Sequence, residues 1–189
     1  VLSMKKLLFI AIAVVAVVGL VACHDDDDKY ASNWEKFAEW RATNTAWVAS
    51  QQTRTNADGT PFYQVVTPSW YNGAFVLVHV FGEPHTENLR PLSTSTVDVI
   101  YQGFNCEGER FDSSLTQTAY GPGVARFALN EVIDGWTAAF ETLHVGDSAE
   151  IVCPYNMAYG EMYMSELIKP YSALRFNVRL VDIYGYEKK

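Results

Sequence analysis

The chain is expected to form an α+β protein in which an antiparallel sheet buries one face against a single short helix. Short segments alternate apolar and polar residues with period two. The clearest sets Leu174, Phe176, Val178 and Leu180 against Arg175, Asn177 and Arg179. Ahead of it, Ile133, Trp136, Phe140 and Leu143 recur at i, i+3, i+7 and i+10, the spacing of one amphipathic helix. A run of strands broken by one helix favours an antiparallel sheet covered on one side. A further amphipathic helix precedes the sheet.

That first helix begins at Ser32-Asn33-Trp34-Glu35, which has the S-x-x-E form of a capping box. Phe37, Trp40 and Trp47 follow at helical spacing, with Asn44 interrupting the stripe, so the helix is predicted from Asn33 to about Gln51. Its aromatic face is expected to pack on the following domain or on a second copy of the chain, giving a homodimer. Thr53 to Gly59 is a polar linker ending in the turn signal Asp58-Gly59. Residues 32–60 are thus helix and linker, and residues 61–189 the sheet domain. Within the domain, Phe62 to Thr67 and Phe75 to Phe81 read as strands, and Gly82 to Ser95 as a polar connection. Thr96 to Tyr101 alternates, as do Ala125, Phe127 and Leu129, and Ala149 to Cys153 forms another short strand.

Residues 1–22 read as a leader. Lys5 and Lys6 follow Met4, and Leu7 to Val18 is an apolar run shorter than the roughly 18–20 residues of a spanning helix. The run closes in Leu20-Val21-Ala22-Cys23, which resembles the lipobox of bacterial lipoproteins. The resemblance implies that Cys23 becomes the lipidated first residue, on an anchor in the bacterial envelope and most naturally the outer membrane. The alternative is an ordinary secretory signal with an incidental cysteine. Residues 23–31 carry His24-Asp25-Asp26-Asp27-Asp28-Lys29. This run is open to reading as a solvated tether, a metal site, a tag scar or a sorting signal. Adjacent aspartates repel one another with no fold to preorganise them, which disfavours a specific cation site. The placement resembles the surface-export signal of Bacteroidetes lipoproteins.

Composition excludes several functions. The 189 residues carry a net charge of −8 and no clustered Lys or Arg, which argues against nucleic acid as a partner. Three cysteines are too few and too scattered for a disulfide scaffold or a Cys-based zinc site. The chain has no G-x-S-x-G, H-E-x-x-H, P-loop or G-x-G-x-x-G. His24, His79, His85 and His144 are scattered; His79 and His85 could approach each other, but such histidines are more often structural. No metal or cofactor is expected.

One ordered set of motifs stands out. Tyr101-x-Gly103 is followed by Gly108-x-x-Phe111-Asp112-Ser113-Ser114, then by Glu131-Val132-Ile133-x-Gly135-Trp136 and Val145-Gly146-Asp147. Pro154, Ala158-Tyr159-Gly160 and Leu167-Ile168-x-Pro170-x-x-x-Leu174-x-Phe176 complete it. In this order and spacing, from about Thr96 to Tyr184, the chain resembles the FKBP-type peptidyl-prolyl cis-trans isomerases. The resemblance implies a half-barrel of antiparallel sheet wrapped around one short helix, with an apolar cleft between them. Trp136 would form the cleft floor, and Tyr101, Phe111, Phe127 and Phe176 its walls. Val132 and Ile133 would offer backbone groups to an extended peptide. Asp112 and Tyr159 would be the polar, catalytic groups at the rim, with Leu167 and Ile168 on the loop above. Buried Trp136, Phe127 and Phe176 suit almost any core. Phe111-Asp112 and Tyr159 are harder to explain as packing alone, because polar-tipped residues there flank an apolar pocket.

The resemblance therefore implies an isomerase acting on proline-containing unfolded or extended polypeptides, assisting the folding of exported proteins. The alternative is a non-catalytic proline-peptide receptor or chaperone that keeps the cleft. Three departures bear on that choice. Ala125 stands where the family usually has an aromatic, Ala128 to Glu131 is shorter than the usual bulge, and Met162-Tyr163-Met164 occupies the loop over the pocket. A methionine-rich lid adapts to varied partners. Cys106 and Cys153 are expected to be free thiols.

Overall fold

The structure, a computed structural model, describes residues 32–186, so the leader, Cys23 and the acidic run lie outside the described residues. Among the described residues no helix is long and apolar enough to cross a membrane. The capping box forms at Ser32, whose backbone N–H donates to the Glu35 carboxylate at 3.3 Å. The helix it opens is broken in two, α1 (Asn33–Lys36) and α2 (Ala38–Gln52). The break falls at Phe37, which leaves the helical region at φ −109° and ψ 24°, with its ring centroid 6.5 Å from that of Tyr163. The apolar spacing conceals the break because Phe37 keeps its place in the stripe.

The strands are β1 (Gln64–Val66), β2 (Val76–Phe81), β3 (Thr96–Asn105), β4 (Arg110–Ser113), β5 (Ala125–Ala128), β6 (Ser148–Cys153) and β7 (Leu174–Ile183). They form one sheet in the order β1-β2-β6-β7-β3-β4, every pair antiparallel, with β5 also paired to β3. The long strand β3 thus has β7 on one side and two short partners in turn on the other. β5 pairs with Thr96–Val99, and β4 with Gln102–Phe104. Register shifts at Asp98/Val99 and Gly103/Phe104 mark bulges, which bend a strand and sharpen its twist. That curvature lets the sheet wrap a helix.

Three expectations need correction. β3 continues to Asn105 instead of ending at Tyr101, because β7 pairs with it along its whole length. Leu129 is not on a strand: β5 stops at Ala128 and a 3₁₀ turn over Leu129–Glu131 buries Leu129 completely. Arg110–Ser113 forms a strand that alternation did not reveal, since four residues are too few to establish a period.

The wrapped helix, α3 (Asp134–Phe140), is only two turns long. Ile133 precedes it in extended geometry, and Thr137 Oγ1 donates to the Leu129 carbonyl at 2.6 Å, tying the helix to the turn before it. Trp136, Ala139, Phe140 and Leu143 pack against Val76, Val78, Val97, Val99, Ile151 and Val178 from the sheet. The back of the sheet is covered locally as well. Val48 of α2 packs with Tyr63, Leu77, Val152 and Ala173, so β2 and β6 are buried on both faces.

Leading into β6, Asp147 organises the turn. Its carboxylate accepts the backbone N–H groups of His85 (2.9 Å) and His144 (2.8 Å), and lies 2.8 Å from His85 Nδ1. Burial alone would push this carboxyl up, but the backbone donors and the His85 side chain outweigh it and hold the group below the usual carboxylate range. His85 is thereby committed to Asp147, while His79 Nδ1 sits 2.6 Å from the Phe62 carbonyl oxygen. The two histidines do not meet.

Helix α3 approaches the sheet so closely that a side chain on Gly135 would meet the Met157 carbonyl oxygen at 2.7 Å and Cys153 Cβ at 3.0 Å. Replacing Gly135 by Ala should therefore cost about 1–3 kcal/mol. The check is the urea unfolding midpoint, which should fall with little change in the m-value.

Candidate active site

A cavity of about 510 Å³ lies between α3, β3, β4 and the segment leading from β6 to β7. Its floor is Trp136, which is 4% exposed. Around that indole the aromatic rings stand edge to face. Tyr101 lies 5.2 Å away at 86°, Phe127 5.5 Å at 86°, and Phe176 5.3 Å at 84°. Phe111 stands perpendicular to Phe176 at 5.7 Å, and Tyr101 to Phe127 at 5.7 Å and 69°. This is the arrangement the ring quadrupoles favour, worth about 0.5–1.5 kcal/mol per pair beyond area burial. It makes stiff walls.

Backbone position explains each wall. Tyr101 and Phe176 sit on β3 and β7, which are hydrogen-bonded neighbours, with Gly103 opposite Phe176. Phe111 comes from β4 and crosses over Gly103, where a Cβ would meet the Phe111 ring at 2.6 Å. Only glycine gives that ring its seat. The far end of β4 is tied down by Ser114, fully buried, whose hydroxyl donates to the Gly123 carbonyl at 2.6 Å and accepts the Tyr101 N–H at 2.9 Å.

The rim supplies the polar groups. The Tyr101 hydroxyl donates to Asp112 Oδ2 at 2.6 Å, and Asp112 Oδ1 accepts the Ser113 N–H at 2.7 Å. Burial, then the hydrogen bond to Asp112 and its charge, push the Tyr101 hydroxyl well above the ordinary tyrosine value. Tyr159 is raised too, by burial first and then by the charge of Asp112. Both hydroxyls remain protonated at neutral pH. Tyr101 spends its proton on Asp112, whereas the Tyr159 hydroxyl makes no hydrogen bond to another described residue. Val132 (φ −105°, ψ 178°) and Ile133 (φ −61°, ψ 145°) are extended and line the cavity. The Ile133 carbonyl starts α3, and its N–H has no backbone partner among the described residues. Trp136 Nε1 is also buried without a partner. The site is thus an aromatic floor and walls with carboxylates at the rim, and among the described residues its unpartnered donors include the Tyr159 hydroxyl, the Ile133 N–H and Trp136 Nε1.

The structure brings together Tyr101, Phe111, Asp112, Phe127, Val132, Ile133, Trp136, Tyr159 and Phe176. Leu167 and Ile168 are not among the residues lining this cavity. Ile168 is 7% exposed and packs in the cluster that holds Trp136 and Phe176, and the Leu167 carbonyl lies 3.5 Å from Asn105 Nδ2. Met162 does line the cavity, alongside Ala158, Glu131 and Asp134. The last two flank Val132-Ile133 in the sequence motif, which is the signal that could have found them. Cys106 and Cys153 are free, and complete burial pushes the Cys153 thiol up.

Comparison with known proteins addresses the family and the fold. The family description "FKBP-type peptidyl-prolyl cis-trans isomerase" matches residues 88–181. The FKBP-type 22 kDa peptidyl-prolyl cis-trans isomerase of Escherichia coli (strain K12) is 37% identical over 97 residues, which are 51% of this chain and 45% of that protein. FK506-binding protein 1A of Emericella nidulans is 33% identical over 93 residues, 49% of this chain and 84% of that protein. The crystal structure of FkpA from Escherichia coli superimposes with a TM-score of 0.60 at 26% identity, covering 79% of this chain and 63% of that one. The chain spans less than half the length of the bacterial curated relatives it matches.

Replacing Gly103 by Ala should push the Phe111 ring off its seat, with an expected loss of about 1–3 kcal/mol. The check is the aromatic NMR spectrum, where Phe111 and Phe176 resonances should move while those of the α2 packing cluster stay in place.

Proposed function

The chain belongs to the FKBP-type peptidyl-prolyl cis-trans isomerase family, and we propose from that premise that its cleft isomerises X–Pro bonds in extended or unfolded polypeptides. An X–Pro amide favours trans only slightly but crosses a barrier of roughly 18–20 kcal/mol, because rotation breaks amide resonance. No nucleophile is required. The twisted amide has a less polar carbonyl and a more basic nitrogen than the planar ground state. A cleft that excludes water therefore binds it in preference to the hydrated planar form. A thousandfold acceleration needs about 4 kcal/mol of that preference.

In this reading the proline ring lies on Trp136 between Tyr101, Phe111, Phe127 and Phe176. The Ile133 N–H donates to a peptide carbonyl, with the extended backbone of Val132 beside it. Tyr159 donates its hydroxyl to a substrate carbonyl, holding the peptide so that its proline amide can twist over the apolar floor. Asp112 serves as an orienting base for Tyr101, holding that ring upright in the wall. The observation that carries the proposal is the uncommitted Tyr159 hydroxyl above an apolar floor, a donor with no structural duty of its own. Leu167 and Ile168 stand on the loop above, as the family motif implies.

The anchor is proposed on sequence grounds. Lipid attached to Cys23 would tether the domain at the envelope, with outer-membrane attachment and surface export supported by the acidic run behind it. There it would serve exported chains as they fold. Macrophage infectivity potentiator of Trypanosoma cruzi and outer membrane protein MIP of Legionella longbeachae are among the similar proteins.

In a protease-coupled assay on a proline tetrapeptide, Phe111→Ala and Tyr159→Ala should each lower kcat/KM by about tenfold or more while the protein stays folded. Unchanged turnover in both would overturn the assignment, and peptide binding without acceleration in the unaltered protein would identify a receptor. For the anchor, Cys23→Ser should move the protein from the detergent phase to the aqueous phase on phase separation of cell extracts. An unchanged distribution would exclude lipidation at Cys23.

A further inference from the structure

The segment between β6 and β7, residues 154–173, carries three cavity residues, Ala158, Tyr159 and Met162, and is folded on itself by its own backbone hydrogen bonds. The Tyr171 N–H donates to the Gly160 carbonyl at 2.7 Å, and a tight turn closes at Ser165–Ile168. Tyr171 also has φ +66°, a left-handed conformation disfavoured for a residue with a side chain. Within the loop, the Tyr155 ring stands edge to face with Tyr171 at 5.4 Å and supports that geometry.

The N-terminal helices add a second set of contacts along the loop's outer side. Asn33 Nδ2 donates to the Glu161 carbonyl at 3.2 Å, and the Phe37 ring approaches Tyr163. Trp34 meets Tyr171 edge to face at 5.5 Å. Trp40 Nε1 donates to Ser172 Oγ at 2.9 Å. Asn44, only 1% exposed, accepts the Ala173 N–H at 2.8 Å and returns its own amide N–H to the Trp40 carbonyl at 2.8 Å. Asn44 is the residue that interrupts the apolar stripe of α2. A buried amide in a helix interior is unfavourable unless it is fully bonded, and here it is bonded on both ends. Along the loop, helix contacts at Glu161 and Tyr163 alternate with the cavity residues Tyr159 and Met162.

We infer that α1 and α2 are a clamp that positions the active-site loop, with Trp40 and Asn44 as positioning residues that act through Tyr159. The inference rests on the isomerase reading for its kinetic consequence, but not for its structural one. Because Tyr159 is assigned to holding the peptide while its proline amide twists, loosening the clamp should lower kcat and leave KM nearly unchanged.

The test uses the full chain with Asn44→Ala, and with Trp40→Phe as the milder variant that keeps the ring and loses only the indole donor. Amides of residues 160–173 should exchange about tenfold faster in Asn44→Ala, the loss expected of a buried hydrogen bond, and less so in Trp40→Phe. Turnover should fall about tenfold in kcat, and Asn44→Ala should add nothing further in a Tyr159→Phe background. A purely structural role would lower kcat equally in both backgrounds. Unchanged exchange, or a loosened loop with unchanged kcat, overturns the clamp. If the unaltered protein shows no turnover, the isomerase reading fails by itself, and the exchange rates alone decide whether the helices order the loop.

Discussion

Helix α3 comes so close to the end of β6 and the turn after it that a Cβ on Gly135 would collide with Cys153 and with the Met157 carbonyl oxygen. Most of the site depends on that approach. It sets Trp136, the next residue, at the centre of the curved sheet, where Tyr101, Phe127 and Phe176 reach its edges from three strands. A helix two turns long has little stability of its own. It persists because its whole length from Gly135 to Phe140 is buried. Curvature is the complementary requirement, and the irregularities in β3 at Asp98/Val99 and Gly103/Phe104 supply it.

The polar groups of the cleft divide their duties by where their hydrogen bonds go. Asp112 is occupied by Tyr101 and Ser113, so it stiffens the wall. Tyr159 and the Ile133 N–H have no such duty and are left for a ligand. This division suits a reaction with no bond to a nucleophile, in which shape, dryness and one or two aimed donors must discriminate a twisted amide from a planar one. A site built this way tolerates little looseness, since a displacement of an ångström removes a hydrogen bond. That is the physical reason for a second element, α1 and α2, to grip the loop that carries Tyr159.

Much of this was legible before any coordinates. Alternation located β7 because Leu174 to Leu180 faces a core on one side and solvent on the other. The spacing of Ile133, Trp136 and Phe140 located α3, and the capping box located the start of α1. The aromatic lining was legible only through the family resemblance, because a buried Phe127 or Phe176 looks like any core residue. Arg110–Ser113 escaped because it is too short to show a period. Leu167 and Ile168 were assigned to the rim because the motif contains them, and a turn at Ser165–Ile168 shapes that part of the loop.

The sequence by itself determined what local chemistry can determine: the order of helices and strands, the glycines at positions 103 and 135, and the family to which the motifs point. Tertiary structure decided which side chains meet. Asn44 reads as a flaw in an amphipathic stripe until its partner is seen, a backbone N–H 129 positions further along the chain. Tyr101 and Tyr159 look alike in sequence, yet one is committed to Asp112 and the other is free. Periodicity reports only whether a residue faces core or solvent. Hydrogen-bond commitment depends on which distant segment folds against it.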